Sequence, residues 1–173
     1  MPGTEQVPQA LADIVELFAP GSESIRRRLA EAITTDRERT GSRTAAAILL
    51  DALYPDSADL HDAGMVYCDW RSVPTEIRDY LIELPTCPAT LSWDWLEEFD
   101  EDDWDPEEID SFLWPLAARC HEMGTALIAL DIESDGYGLG FIAADHIDRI
   151  VKLAESADCD LRVVHPQVPT DLI

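Results

Sequence analysis

Residues 125–143 read TALIALDIESDGYGLGFIA, and this stretch decides the fold of the 173-residue chain. Two apolar runs, 125–130 and 137–143, flank a polar segment that ends in Asp135-Gly136. An Asp-Gly pair between two apolar runs is a strong signal for a tight turn between antiparallel strands. The stretch is therefore predicted to form a β-hairpin.

Shorter elements are predicted on both sides of the hairpin. Residues 65–70 are aromatic and β-branched, and 161–164 form a last apolar run, so both are interpreted as strands. Helical periodicity marks residues 73–84 and a segment that begins at Asp105-Pro106, where Asp105 can cap the helix and Pro106 suits its first position. Asp145 is expected to cap a last helix.

Residues 91–95 support two interpretations. Leu91, Trp93 and Trp95 alternate with polar residues, which favours a strand with one buried face, and the competing interpretation is a helical turn.

The first third of the chain is predicted to be helical. Apolar residues recur at helical spacing in 11–18, after Ser22, and in 44–53. Together the patterns predict an α+β fold, in which a small mixed or antiparallel sheet carries helices on one face and is preceded by an N-terminal helical lobe. The expected division is a lobe over 1–58, packed on an α+β domain over 59–173.

The composition is strongly acidic. Thirty-six Asp and Glu face twelve Lys and Arg, a formal charge of −24. Residues 1–43 contribute −1 and the remaining 130 contribute −23, and the densest segment, 94–110, has eleven acids and no base. Such a charge argues against nucleic-acid binding and against anionic membrane surfaces, and no apolar run is long enough to span a membrane.

Compartment and cofactor signals are few. The N-terminal residues lack the basic and apolar segments of a signal peptide, and the four cysteines form no CxxC pair, which predicts a cytoplasmic protein with buried, reduced thiols. No histidine has a second histidine at i+3 or i+4, and no nucleotide-binding or hydrolase motif occurs, so no cofactor and no metal is assigned. The glycines of 136–140 are interpreted as marking a bulge or a close backbone approach.

Tryptophans flank or lie within the acidic segment, which makes it the first candidate for a binding surface. Carboxylates can steer a basic partner while an indole fills a pocket on it. Trp93, Trp95 and Trp114 are assigned to the core, and Trp104 is expected to be exposed. The predicted partner-binding residues are Asp100, Glu101, Asp102, Asp103 and Trp104. The alternative is that the charge only maintains solubility or reflects a halophilic or GC-rich source.

A second candidate is a carboxylate pocket at the hairpin. The spacing of Asp131, Glu133, Asp135 and Gly136 matches the opening of an EF-hand loop, but position 12 is Ile142 and the flanking segments are predicted strands instead of helices, which argues against an EF-hand. A different divalent-metal site remains an alternative to a plain polar turn. The candidate pocket residues are Asp69, Asp131, Glu133, Asp135 and Tyr137.

Two segments resemble a known family. Residues 65–71, MVYCDWR, are similar to a strand ending in Asp-Trp-Lys, and 127–141 resembles a later Leu-Asp…Ser-Asp-Ser-Tyr hairpin. Both patterns occur in an uncharacterised family of small acidic bacterial proteins of unknown function, and Arg71 and Gly136 depart from them. The resemblance covers about 60–165 and implies an α+β domain without an established activity.

Three functions follow from these observations as expectations. The leading one is a non-catalytic, cytoplasmic bacterial protein that binds a basic partner, such as a toxin domain, through its acidic surface, like an immunity protein or antitoxin. This analogy rests on charge and size. The rivals are a divalent-metal-binding protein or enzyme that uses Asp69, Asp131 and Asp135, and an acidic housekeeping protein.

Overall fold

The computed structural model of the chain describes residues 6–39, 43–54, 63–132 and 135–164. Within these ranges the chain forms six α-helices and one four-stranded sheet. The elements in chain order are α1 (Gln6–Phe18), α2 (Glu23–Arg39), α3 (Ala45–Leu53), β1 (Val66–Asp69), α4 (Pro74–Leu81), α5 (Asp110–Glu122), β2 (Thr125–Asp131), β3 (Gly136–Ala143), α6 (Ile147–Ala157) and β4 (Leu161–Val164). The predicted α+β class is confirmed.

The sheet is antiparallel throughout, in the order β1-β3-β2-β4. The predicted hairpin supplies its two central strands, and Leu139 of β3 lies opposite Val66 of β1 and Ala129 of β2. The outer strands, β1 and β4, have four residues each. Both match the sequence predictions, β1 from its aromatic and β-branched residues and β4 from its apolar run.

Helices cover both faces of the sheet, so the expectation of helices on one face is wrong. Successive side chains of a strand point to opposite faces. On one face, Ile128 and Ile142 share a hydrophobic core with α1, α3 and α6. On the other face, Leu127 and Phe141 share a core with α4 and α5. Strands buried on both sides explain why 125–130 is apolar without alternation.

Glycines on one face of β3 allow the N-terminal helices to approach the sheet closely. A Cβ atom at Gly140 would lie 2.8 Å from the Gly64 carbonyl oxygen and 2.9 Å from Cε1 of Phe18, at the end of α1. A Cβ atom at Gly138 would lie 2.5 Å from Sδ of Met65. The approach of another backbone segment is therefore present at Gly140, whereas the close neighbour of Gly138 is a side chain.

Two predicted helix starts are wrong. Residues 106–108 form a separate 3₁₀ turn, in which Oδ1 of Asp105 accepts a hydrogen bond from the Glu107 amide at 3.0 Å, and α5 begins only at Asp110. The last helix, α6, begins at Ile147 after a 3₁₀ turn, and Asp145 makes no capping hydrogen bond there. The helices α2 and α3 do have side-chain caps, since the hydroxyl oxygens of Ser22 and Thr44 accept from the Ile25 and Ala47 amides.

The strand interpretation of 91–95 is also wrong. Residues 94–98 form a 3₁₀ turn, and the buried side chains are Leu91, Trp95 and Leu96. The competing interpretation of a helical turn matches the structure.

Three of the four free cysteines, Cys68, Cys120 and Cys159, are buried, and Cys87 is half-buried. No helix in the described ranges is long and apolar enough to cross a membrane.

Candidate partner-binding surface

The acidic segment, residues 94–110, is a run of short turns on the surface. Ten of its eleven carboxylic residues are exposed, and Asp110 is half-buried. Aspartates hold the turns themselves: Oδ1 of Asp100 accepts from the Asp102 amide at 3.1 Å, as Asp105 does from Glu107. Since Asp side chains at such positions satisfy free amides at the start of a turn, part of the acidity of this segment also shapes its backbone.

An aromatic cluster lies beneath the acidic segment. It consists of Trp93, Trp95, Phe99, Trp104 and Phe112. Trp95 is its centre, stacked on Phe112 with ring centroids 5.5 Å apart and on Trp93 at 6.3 Å. The indole N–H of Trp95 donates to the Ser92 carbonyl oxygen at 2.8 Å. Aromatic pairs add about 0.5–1.5 kcal/mol each beyond burial, so the cluster anchors the turns to α5.

Trp104 lies differently from the expectation of an exposed anchor. It is half-buried, edge-on to Phe99 with ring centroids 5.8 Å apart. Its indole N–H is enclosed and has no hydrogen-bond partner within the described residues. The exposed tryptophan is instead Trp70, at 43% exposure, with the Arg71 guanidinium 5.1 Å from its ring centroid.

A groove of about 570 Å³ separates the acidic segment from α4. This acidic groove has Thr75 and Arg78 on its α4 side. Its other residues are the aromatic or apolar Trp93, Leu96 and Phe99 and the carboxylic Asp94, Glu97, Asp100, Glu101 and Asp102. The Glu101 carboxylate accepts hydrogen bonds from both the amide and the hydroxyl of Thr75 and so joins the two walls.

Three of the five predicted partner-binding residues, Asp100, Glu101 and Asp102, line the acidic groove. Asp103 is exposed beside it, and Trp104 belongs to the aromatic cluster. Sequence reasoning missed Asp94, Glu97 and the α4 wall. The tryptophan spacing that could have indicated the groove floor was interpreted as a strand.

Few cations neutralise the acidic segment. In the described part of the chain its one ion pair joins Asp110 to Arg162, with Oδ1 and Nη2 3.6 Å apart. Arg78, the cation on the opposite wall, is paired with Asp79 at 2.8 Å. The exposed carboxylates of the segment therefore face solvent without a cationic partner among the described residues.

The second candidate site lies at one end of the sheet. Because β1 and β2 both run antiparallel to β3, Asp69, Asp131 and Asp135 come to the same end. The Trp70 amide donates to the Asp135 carbonyl oxygen at 2.8 Å, which fixes the end of β1 beside the hairpin. Asp69 and Asp131 lie opposite adjacent β3 residues, so their register positions belong to opposite faces of the sheet.

Tyr137 lies between the other members of this candidate site. It pairs with Cys68 on one side and Asp131 on the other. Its hydroxyl is enclosed and has no hydrogen-bond partner among the described residues, and burial, with smaller contributions from Cys68 and Asp69, raises its pKa above the ordinary phenol value. Glu133 lies outside the described residues. Within them, no group of three or more His, Cys, Asp or Glu side chains could hold a metal ion.

Comparisons with known proteins identify a family but no function. A family model described as "Domain of unknown function (DUF6630)" matches residues 10–164. Because the match spans most of the chain, the protein belongs to this family, which confirms the expected resemblance to an uncharacterised family. Neither the curated proteins nor the solved structures contain a significant match.

Proposed function

We propose that this member of the DUF6630 family is a non-catalytic protein of the bacterial cytoplasm that binds a basic protein through its acidic segment. The role we propose resembles that of an immunity protein or antitoxin, which neutralises a basic toxin domain. The observation that carries the proposal is the set of exposed carboxylates held on defined turns and paired with no cation among the described residues.

The position of the charge supports a directed encounter. The first 43 residues carry a net charge of −1, whereas the remainder carries −23, with its densest part in the acidic segment. Complementary charge raises association rate constants from about 10⁵–10⁶ to about 10⁸–10⁹ M⁻¹s⁻¹ at low salt. A basic partner would therefore reach this face first, and its association rate would fall steeply with ionic strength.

The construction of the segment favours binding over solubility alone. Charge that only maintains solubility needs no fixed geometry. Here Asp100 and Asp105 hold turns, Glu101 binds α4, and Trp95 anchors the segment to the core. The carboxylates are thus presented as a surface of fixed shape, which is what a specific interface needs.

The experiment is calorimetric titration against the basic protein encoded beside this chain. One variant combines D100N, E101Q, D102N and D103N. A matched control, E31Q, E38Q, D148N and E155Q, removes the same charge from exposed positions elsewhere. We expect the first variant to lose at least about tenfold in affinity and the control to change little. Equal affinity in wild type and the first variant would contradict the proposal.

A second candidate function is binding of a divalent cation at the hairpin end of the sheet. The observation in its favour is the hydrogen bond that holds Asp135 beside the end of β1. The opposite faces of Asp69 and Asp131 count against it, because a cation site needs convergent oxygens. We therefore rank it second.

A further inference from the structure

The acidic groove has the chemistry of an arginine site. We propose that it receives an arginine side chain of the basic partner, an inference that rests on the proposed function and adds the residue type recognised. The groove is an open depression of about 570 Å³ between α4 and residues 93–102, which leaves room for a long side chain.

The floor of the groove offers aromatic surface. Trp93 is half-buried, stacked on Trp95, and lines the groove together with Phe99. The same cluster already holds a guanidinium, since Cζ of Arg119 lies 4.7 Å from the Trp95 ring centroid. Cations are attracted to the face of an indole within about 6 Å of its centroid. Arg119 and Trp95 lie outside the groove, so this contact serves as the pattern for a guanidinium on Trp93, the neighbouring ring that lines it.

The rim of the groove supplies the opposite charge. Asp94, Glu97 and Asp102 are exposed, and their carboxylates form no ion pair within the described residues. Asp100 and Glu101 are already used to hold a turn and α4. A carboxylate can accept two parallel hydrogen bonds from one guanidinium. Each of the three rim carboxylates can therefore bind an arginine in this bidentate way.

Arginine fits this combination better than lysine. A guanidinium is planar and weakly hydrated, stacks on aromatic rings and donates in a fork, whereas an ammonium is a compact, strongly hydrated point charge. The arginine of the groove wall, Arg78, does not take this place, because both its Nε and Nη2 atoms contact Asp79.

The test uses two peptides of equal charge, one with four arginines and one with four lysines in the same glycine-serine frame. Binding is followed by tryptophan fluorescence and by the indole N–H signals in NMR spectra. We expect the arginine peptide to bind at least about fivefold more tightly and to shift the Trp93 signal most. W93L should abolish the preference for arginine. The control is W114L, which replaces a half-buried tryptophan of α5 outside the groove and should retain the preference.

Two charge variants separate this inference from the proposed function. D94N/E97Q/D102N removes three negative charges at the groove rim, and D105N/E107Q/E108Q removes three from the same segment outside the groove. Neither variant changes a residue of the aromatic cluster, so both remain informative if W93L fails to fold. A larger loss for the rim variant supports the groove. Equal losses of affinity in the two charge variants, with arginine and lysine peptides bound equally well, would overturn the proposal of an arginine site in the groove. The acidic segment as a whole would then remain the proposed binding surface. Absence of binding by both peptides to the wild type would overturn both.

Discussion

Glu101 accepts hydrogen bonds from the backbone amide and the hydroxyl of Thr75, a residue 26 positions earlier in the chain. Thr75 is the second residue of α4, directly after Pro74, and the first amides of a helix have no partner within the helix. The carboxylate thus caps α4 from the acidic segment, where negative charge is also favoured by the helix dipole. One residue therefore serves both the stability of α4 and the shape of the groove.

Removal of this contact is expected to lower stability. E101A should reduce the free energy of unfolding by about 0.5–2 kcal/mol, the range for loss of a helix cap. The measurement is urea denaturation followed by circular dichroism. E98A is the control, since Glu98 is an exposed acid of the same segment with no side-chain hydrogen bond among the described residues. Equal effects of the two substitutions would contradict the capping role.

Substitution of the β3 glycines is expected to differ between two neighbouring sites. In G140A the new methyl group would meet the Gly64 carbonyl oxygen and the Phe18 ring, neither of which can move without shifting the backbone or α1. A cost of about 1–3 kcal/mol is expected, as for overpacking in a core. In G138A the nearest atom is the flexible thioether of Met65, so the loss should be smaller. Thermal unfolding of both variants, compared with the wild type, provides the measurement. The reverse order would show that α1 does not constrain β3.

The buried thiols predict that stability falls at high pH. Burial raises the pKa of Cys68, Cys120 and Cys159 from the ordinary thiol value of 9.0 to about 12. Between these values the unfolded chain releases thiol protons that the folded chain keeps, so the free energy of unfolding decreases as pH rises from 9 towards 12. Each thiol contributes up to about 1.4 kcal/mol per pH unit to this slope.

The slope can be measured by urea denaturation at several pH values between 8 and 11. C159A should reduce the slope by an amount equivalent to at most one bound proton. The pKa of the half-buried Cys87 is raised only to about 11, so C87A should reduce the slope less at the upper end of the pH range. An unchanged slope in C159A would contradict a neutral buried thiol. The native protein should also react with a thiol reagent first at Cys87.

Divalent cations distinguish the two candidate sites. The acidic segment should respond to Ca²⁺ or Mg²⁺ only through gradual screening of its charge. A ligand bound only by the folded state must raise the melting temperature. We therefore expect no saturable rise at millimolar metal. A saturable rise that D131N abolishes and D102N preserves would favour the hairpin end over the acidic segment.

Local patterns made much of the fold predictable. The hairpin, the outer strands and the first three helices each carry their own periodicity and turn residues. Residues 91–95 were misassigned because five alternating residues suit either a strand or a turn. The start of α5 was placed too early, since the Asp105-Pro106 signal begins a 3₁₀ turn and the helix follows it.

The candidate site was less predictable because it depends on distant contacts. The acidity of 94–110 is visible in the sequence, but the groove needs α4 on its other side, and no pattern links Thr75 to Glu101. The packing of helices on both faces of the sheet could not be predicted for the same reason. The apolar stripe of α5 shows that it packs on something, and only tertiary structure shows that α5 lies across the sheet from α1.

The four-residue length of the outer strands bears on self-assembly. An outer strand exposes unpaired peptide groups that can recruit another chain, and such recruitment is the first step of aggregation by strand addition. Among the described residues, β1 ends at Asp69 and β4 carries the exposed Arg162, so each outer strand is short and bears a charge. These features of the edge strands disfavour polymerisation by strand addition, and the formal charge of −24 adds repulsion between copies.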